Sequence, residues 1–230
     1  MWYLDVSDRL AREYANEARL ELGLGLDGIS NVTEVLESNG VKIIEIDEAE
    51  SFGGLSGLAD GSIPVIVINK KLSSENKRFT LLHEFAHILL DFDETIGVKT
   101  VEAVCNAFAL ELLLPSSVLT ARVGTKRHDI SLAELKDLQM QYGVSLDRIM
   151  IALRNMGIIT DRRYVTYLKK KKNFPAFNDS VEKSLSLPES SRRFVRMVYR
   201  AIADDIISFS KAAALLNTSI ETVKAQFQLI

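Results

Sequence analysis

The sequence predicts an α+β fold, mostly helical, with a small N-terminal antiparallel sheet and a small helical C-terminal region after it. Three observations carry that prediction. Apolar residues recur at helical spacing in segments spread along the chain. Runs rich in Val and Ile gather between Val41 and Asn69, bounded by Gly and Asp, and alternate as strands do. Finally, Leu81 to Leu90 is apolar except for His83, Glu84 and His87, which places ionisable groups on a helix that favours burial.

Taken in order, Val6 to about Leu22 carries Leu10, Tyr14, Ala18 and Leu22 in a four-residue rhythm, an amphipathic helix ended by Gly23 and Gly25. A second helix starts with Ser30 or Asn31 as N-cap and ends at Asn39-Gly40. Val41 to Ile46 reads as a strand. Leu55 to Ala59 and Ile63 to Ile68 read as two more, joined at Asp60-Gly61 as a hairpin. Pro64 has no N–H for a ladder, so this last strand is expected at a sheet edge. An edge strand can pair with an extended peptide, which makes Val65, Ile66 and Val67 candidate substrate-binding residues. The helix holding the histidines runs from about Glu75 to Phe92, followed by an acidic loop and a second apolar helix, Val101 to Leu114, stopped by Pro115. Two short helices lie between Leu132 and Gly157 with Ser145 as a cap. Arg162 to Lys172 ends in four lysines, Asn173 to Ala176 reads as a linker, and Pro188 to Ile230 is helical.

The single cysteine, Cys105, excludes an internal disulfide framework and a cysteine-rich zinc site, and suits a reducing cytoplasm. The start, Met1-Trp2-Tyr3-Leu4-Asp5, meets an acidic residue early and has no long apolar core, so no signal peptide is expected. His, Glu and Asn interrupt the apolar runs, so no membrane span is expected either. The net charge of −3 is uneven: residues 161–230 hold 13 Lys/Arg against 7 Asp/Glu, and residues 1–160 hold 15 against 24. A basic tail on an acidic body suggests nucleic acid or an acidic partner, with a solvated surface as the plainer account.

On a helix, His83 and His87 lie about 40° apart one turn above the other, and Glu84 falls about 60° from His87. Burying two imidazoles and a carboxylate without partners costs several kcal/mol. A divalent metal removes that cost, because two imidazole nitrogens one turn apart reach one ion. Glu84 is then placed as general base toward an activated water. A catalytic zinc needs a third protein ligand, and two residues compete for the place. Asp93 lies six residues beyond His87, but that arrangement needs a sharp turn at Leu90, which resists positive φ. Glu102 is better placed, one helical turn from Asn106 on one face of an apolar helix. Asn106 is suited to hold a ligating side chain in place. Glu111 points away from Glu102 and reads as solvated or supporting.

Phe79-Thr80-Leu81-Leu82-His83-Glu84-Phe85-Ala86-His87-Ile88-Leu89-Leu90 is followed by Glu102-x-x-x-Asn106-x-Phe108-Ala109-x-Glu111-Leu112-Leu113-Leu114-Pro115. These motifs, with Leu138-x-x-x-Tyr142-Gly-Val-Ser145, closely resemble the ImmA/IrrE family of bacterial and phage zinc metallopeptidases, over roughly residues 5 to 165. The resemblance implies a zincin-like core over 1–125, and it implies His83, His87 and Glu102 as zinc ligands with Glu84 as base. It also implies a cytoplasmic endopeptidase that cleaves a DNA-binding repressor of the helix-turn-helix type and relieves repression. Cys105 stands where relatives usually have Ala. Residues 126–172 are expected as a winged-helix or helix-turn-helix-like extension, and 173–230 as a helical tail. In that tail, Phe209 to Phe227 reads as helix, turn and helix, with Asn217 in the turn and Ser219 as a cap. DNA contact through it is not favoured, because the second helix offers only Thr222, Lys224 and Gln226 and no arginine. A non-catalytic binding protein, regulatory or toxin–antitoxin-like, that engages a repressor or DNA is the rival reading. His128 and Tyr142 are candidates to stabilise a developing oxyanion.

Overall fold

A computed structural model describes residues 2–49, 51–93, 95–185 and 189–227, with side chains from Arg9 onward. Helix α1 (Trp2–Glu21) leads into α2 (Val32–Ser38), whose N-cap is Asn31. The buried face of α1 is Ala11, Ala15 and Ala18, while Leu10 and Tyr14 are 41% and 48% exposed. Leu10 and Tyr14 of the rhythm in the sequence therefore face out, while Ala18 is buried and Leu22 packs against the core. Small side chains are what the packing selects, since they let α1 lie close along α4 (Val98–Leu113). Buried Arg19 fastens that contact: its guanidinium donates to the carbonyls of Gly25 and Asp27 and to that of Leu112 in the last turn of α4.

Three strands follow: β1 (Lys42–Ile46), β2 (Gly54–Ala59) and β3 (Ile63–Asn69). β2 and β3 form the expected antiparallel hairpin, with Asp60 and Gly61 at φ 50° and 68° in the turn. The sheet as a whole is mixed rather than antiparallel, because β1 pairs with β3 in parallel and the order is β1-β3-β2. Strand β3 is thus central, which corrects the edge position expected from Pro64. Pro64 is accommodated because the parallel ladder begins one residue later, at Val65 opposite Lys42. Val65, Ile66 and Val67 are paired on both sides, so no peptide can add to them. The chain passes from β1 to β2 over the end of β3, where buried Asn69 donates through Nδ2 to the carbonyls of Ala49 and Phe52.

Helix α3 (Ser74–Leu89), capped by Ser73, packs under the sheet and against α4. Pro115 ends α4 and opens α5 (Ser116–Val123), a short helix the sequence does not announce. Its N-terminus is capped by the Glu111 carboxylate, which accepts from Ser116 N and Oγ at 2.9 Å each. Glu111 is therefore buried and structural rather than solvated. Helices α6 (Leu132–Tyr142) and α7 (Leu146–Asn155) turn at Gly143, φ 62°. Helices α8 (Asp161–Asn173) and α9 (Pro175–Glu182) meet at Phe174. The expected linker is therefore only a break, because proline also opens a helix at its first position.

Residues 1–189 form one compact unit and 190–230 a second, where the sequence predicts divisions at 125 and 172. The first unit extends to Glu189 because that carboxylate is bound inside it. Its Oε2 pairs with Arg78 Nη1 at 2.9 Å, and its Oε1 accepts from Thr33 N and Oγ1. The second unit holds α10 (Arg193–Ala203), α11 (Phe209–Leu215) and α12 (Ile220–Gln226) around Val198, Ile202, Ala212, Ala213 and Val223. Asn217 occupies the turn at φ 49°, and Ser219 caps α12. Among the described residues, no single helix is long and apolar enough to cross a membrane.

Candidate metal centre

Leu81, Leu82 and Ala86 bury one side of α3 in the core, which turns His83, Glu84 and His87 toward a half-open face. α4 lies beside it and brings Glu102 to that face. His83 Nε2 lies 3.2 Å from His87 Nε2 and 3.2 Å from Glu102 Oε2, and His87 Nε2 lies 3.4 Å from Glu102 Oε1. Four ligands about 2.0–2.1 Å from a tetrahedral ion stand about 3.3 Å apart along each edge. His83 Nε2, His87 Nε2 and the Glu102 carboxylate stand near that spacing, each imidazole facing a different carboxylate oxygen. Among the described residues, this is the set of His, Cys, Asp and Glu side chains that could hold a metal ion.

The surroundings favour metal-binding protonation states. Burial lowers the pKa of His83, with Glu102 opposing and His87 adding to the shift, so the imidazole is neutral and its nitrogen lone pair is free. Phe79 stacks on His83 with ring centroids 6.3 Å apart. The buried Nδ1 of His83 has no hydrogen-bond partner among the described residues, while Asn106 acts on the ring more loosely as one of the groups raising its pKa. On the other side, Cys105 Sγ lies 3.6 Å from His87 Nδ1. Burial pushes the Cys105 thiol up to about 12, and Glu102 and Glu84 add to the shift, so it is a neutral partner of His87 rather than a thiolate. The Glu102 side chain is 47% exposed, which keeps the cluster within reach of water.

Glu84 has a partner that sequence reasoning missed. Ser56 Oγ, on β2, donates to Glu84 Oε2 at 2.7 Å. Gly54, on the same side of the strand, leaves room there: a Cβ would meet the Val67 carbonyl of β3 at 2.9 Å and Thr80 of α3 at 3.1 Å. The only signal in the sequence is alternation: Gly54 and Ser56 share one face of β2. Asp93 is outside the cluster. It is exposed and accepts from Thr95 N and Oγ1, and Leu90 keeps a negative φ of −91°. His128 is exposed and Tyr142 is buried, and neither bonds to the cluster among the described residues.

The family described as the IrrE N-terminal-like domain, a peptidase family, matches residues 36–153, which covers the sheet, both site helices and most of α7. Among solved structures, seven chains match. One is a Mycobacterium tuberculosis transcriptional regulator, 15% identical with a TM-score of 0.46, matched over 66% of this chain and 51% of that one. The match spans about half of that regulator's length. No curated protein matches.

Proposed function

Because the chain belongs to the peptidase family of the IrrE N-terminal-like domain, we propose that it is a cytoplasmic zinc-dependent endopeptidase that cleaves a DNA-binding repressor of the helix-turn-helix class and so relieves repression. The observation that carries this reading is the close clustering of the His83, His87 and Glu102 ligand groups, 3.2 to 3.4 Å apart, beside Glu84. His83 and His87 would hold zinc through Nε2, and Glu102 through its carboxylate. When bound there, zinc supplies Lewis-acid activation of water and of the scissile carbonyl. Glu84 takes a proton from the attacking water at Oε1, because Ser56 occupies Oε2, and then delivers it to the departing amine. Asn106 and Cys105 steady the two imidazoles from either side.

The substrate lies extended along the outer edge of β2, the edge strand on the Glu84 side of the sheet. Main-chain pairing there presents a peptide bond to the site without demanding a particular sequence. The repressor as substrate rests on the family resemblance. No DNA contact is assigned to α12: its exposed Lys224 stands beside exposed Glu221, and Gln226 accepts from Tyr199. The test is to incubate zinc-loaded protein with a helix-turn-helix repressor from the same genome and to weigh the products by mass spectrometry. Two fragments that vanish with a chelator and return with zinc support the proposal. An intact repressor held in a stable complex overturns it and favours a binding role.

A further inference from the structure

Beside the metal cluster, a cavity of about 990 Å³ runs between α3, α4, α6, α7 and α9. This is at the upper end of volumes found for ligand sites. Phe79 and Asn106 line it and also touch His83, so the cavity begins one helical turn from the metal-binding face. Ala103, Ala107 and Leu110 leave its α4 wall low and apolar. The Phe79 ring is 6.3 Å from His83, about two residues of extended chain at roughly 3.3 Å each.

The charges on its wall are unevenly satisfied. Glu75 accepts from Gln139 Nε2, Leu185 N and Ser184 Oγ. Asp147 accepts from Tyr167 and Lys171, and Glu182 pairs with Lys171. Each carboxylate on the wall is thus already engaged. Arg148 is not matched in this way. Its Nη1 donates to Asn76 Oδ1 at 2.7 Å and Ser145 Oγ at 3.4 Å, both neutral, and its guanidinium carbon sits 3.7 Å over the Phe79 ring. Asp147 and Glu75 act on it only through space, and burial lowers its pKa to about 10. A half-buried guanidinium whose hydrogen-bond partners are neutral is a site for a carboxylate, which it binds through paired N–H donors.

We propose that this cavity receives an acidic side chain, Asp or Glu, of the peptide substrate from within two residues of the bond cleaved, and that Arg148 selects it. The proposal names the substrate preference of the peptidase site proposed above and rests on that reading, but its test does not need turnover. Acetylated Ala-Glu-Ala and Ala-Gln-Ala amides are titrated into zinc-loaded Glu84→Gln protein and followed by NMR. The Glu peptide should bind at least about tenfold more tightly, Arg148→Gln should abolish the difference, and Arg148→Lys should keep part of it. Equal binding of the two peptides, or a preference that survives in Arg148→Gln, overturns the proposal. If Arg148→Gln does not fold, shifts of the Asn76 and Asn106 side-chain amides with the Glu peptide decide in its place, and unshifted amides overturn it. Cleavage of mixed peptides with no acidic preference would remove the selection and leave the peptidase standing. Acidic binding without cleavage would do the reverse.

Discussion

Replacing Glu102 with Ala removes the one carboxylate of the three-ligand set and leaves two imidazoles facing the ion. The structure gives the scale of the loss. Glu102 contributes an atom at 3.2 Å from one histidine nitrogen and another at 3.4 Å from the other, so it closes the ligand triangle and no other carboxylate among the described residues joins the cluster. Structural zinc in four-ligand zinc-finger peptides binds with about 10–16 kcal/mol, or roughly 2.5–4 kcal/mol per ligand. Zinc affinity should therefore fall by about two to three orders of magnitude. Competition with a chromophoric chelator measures it directly, alongside Asp93→Ala as a control. Asp93 closes an exposed turn with Thr95, so its replacement should leave affinity within about threefold. A loss below tenfold for Glu102→Ala, or a larger loss for Asp93→Ala, would refute the assignment of the third ligand.

Ser56→Ala should lower kcat about tenfold at nearly constant KM, because one hydrogen bond to the half-buried Glu84 carboxylate is removed; Ser56→Thr should recover part of it, and a change confined to KM would contradict the role. Glu189→Ala strands Arg78, whose side chain is 1% exposed and whose Nε has no hydrogen-bond partner among the described residues. Urea unfolding should show a loss of about 3–5 kcal/mol, largely recovered by replacing both residues with Met, and a loss below about 1 kcal/mol would count against the clamp. The Cys105 thiol, raised to about 12 by burial, should resist iodoacetamide at pH 8 until the chain is unfolded. The folded protein also keeps a proton that the unfolded thiol, near 9.0, releases. That share of stability is therefore complete below about pH 9 and lost as pH rises toward 12. A Cys105→Ala variant should lose this alkaline slope in a series of urea midpoints, and an unchanged slope would assign it elsewhere.

What was legible in the sequence was local and periodic. His83, Glu84 and His87 share a face because they are neighbours on one helix. Glu102 could be reached because its own helix is equally regular. The hairpin was written in Asp60-Gly61, whose positive φ angles need those residues. Features set by distant contacts were not legible. Strand order escaped because a period of two is the same beside a parallel or an antiparallel neighbour, and Pro64 misled because β1 happens to pair only from Val65 onward. The buried face of α1 escaped because a wheel of side chains rewards Leu10 and Tyr14, while close packing against α4 selects Ala11 and Ala15. Ser56 reaches Glu84 across the contact of β2 with α3, where Gly54 leaves room on the same face of the strand. The end of the first unit depends on Glu189 and Arg78, which lie 111 residues apart in sequence.

The central claim is that Glu84 moves a proton beside a metal held by His83, His87 and Glu102. The most direct measurement compares peptide cleavage by wild type and Glu84→Gln at equal, measured zinc content. The account predicts that the variant binds zinc and repressor as well as wild type and loses roughly 10²–10⁴-fold in kcat, the usual contribution of a positioned base. A variant that loads zinc and cleaves at the wild-type rate would contradict it.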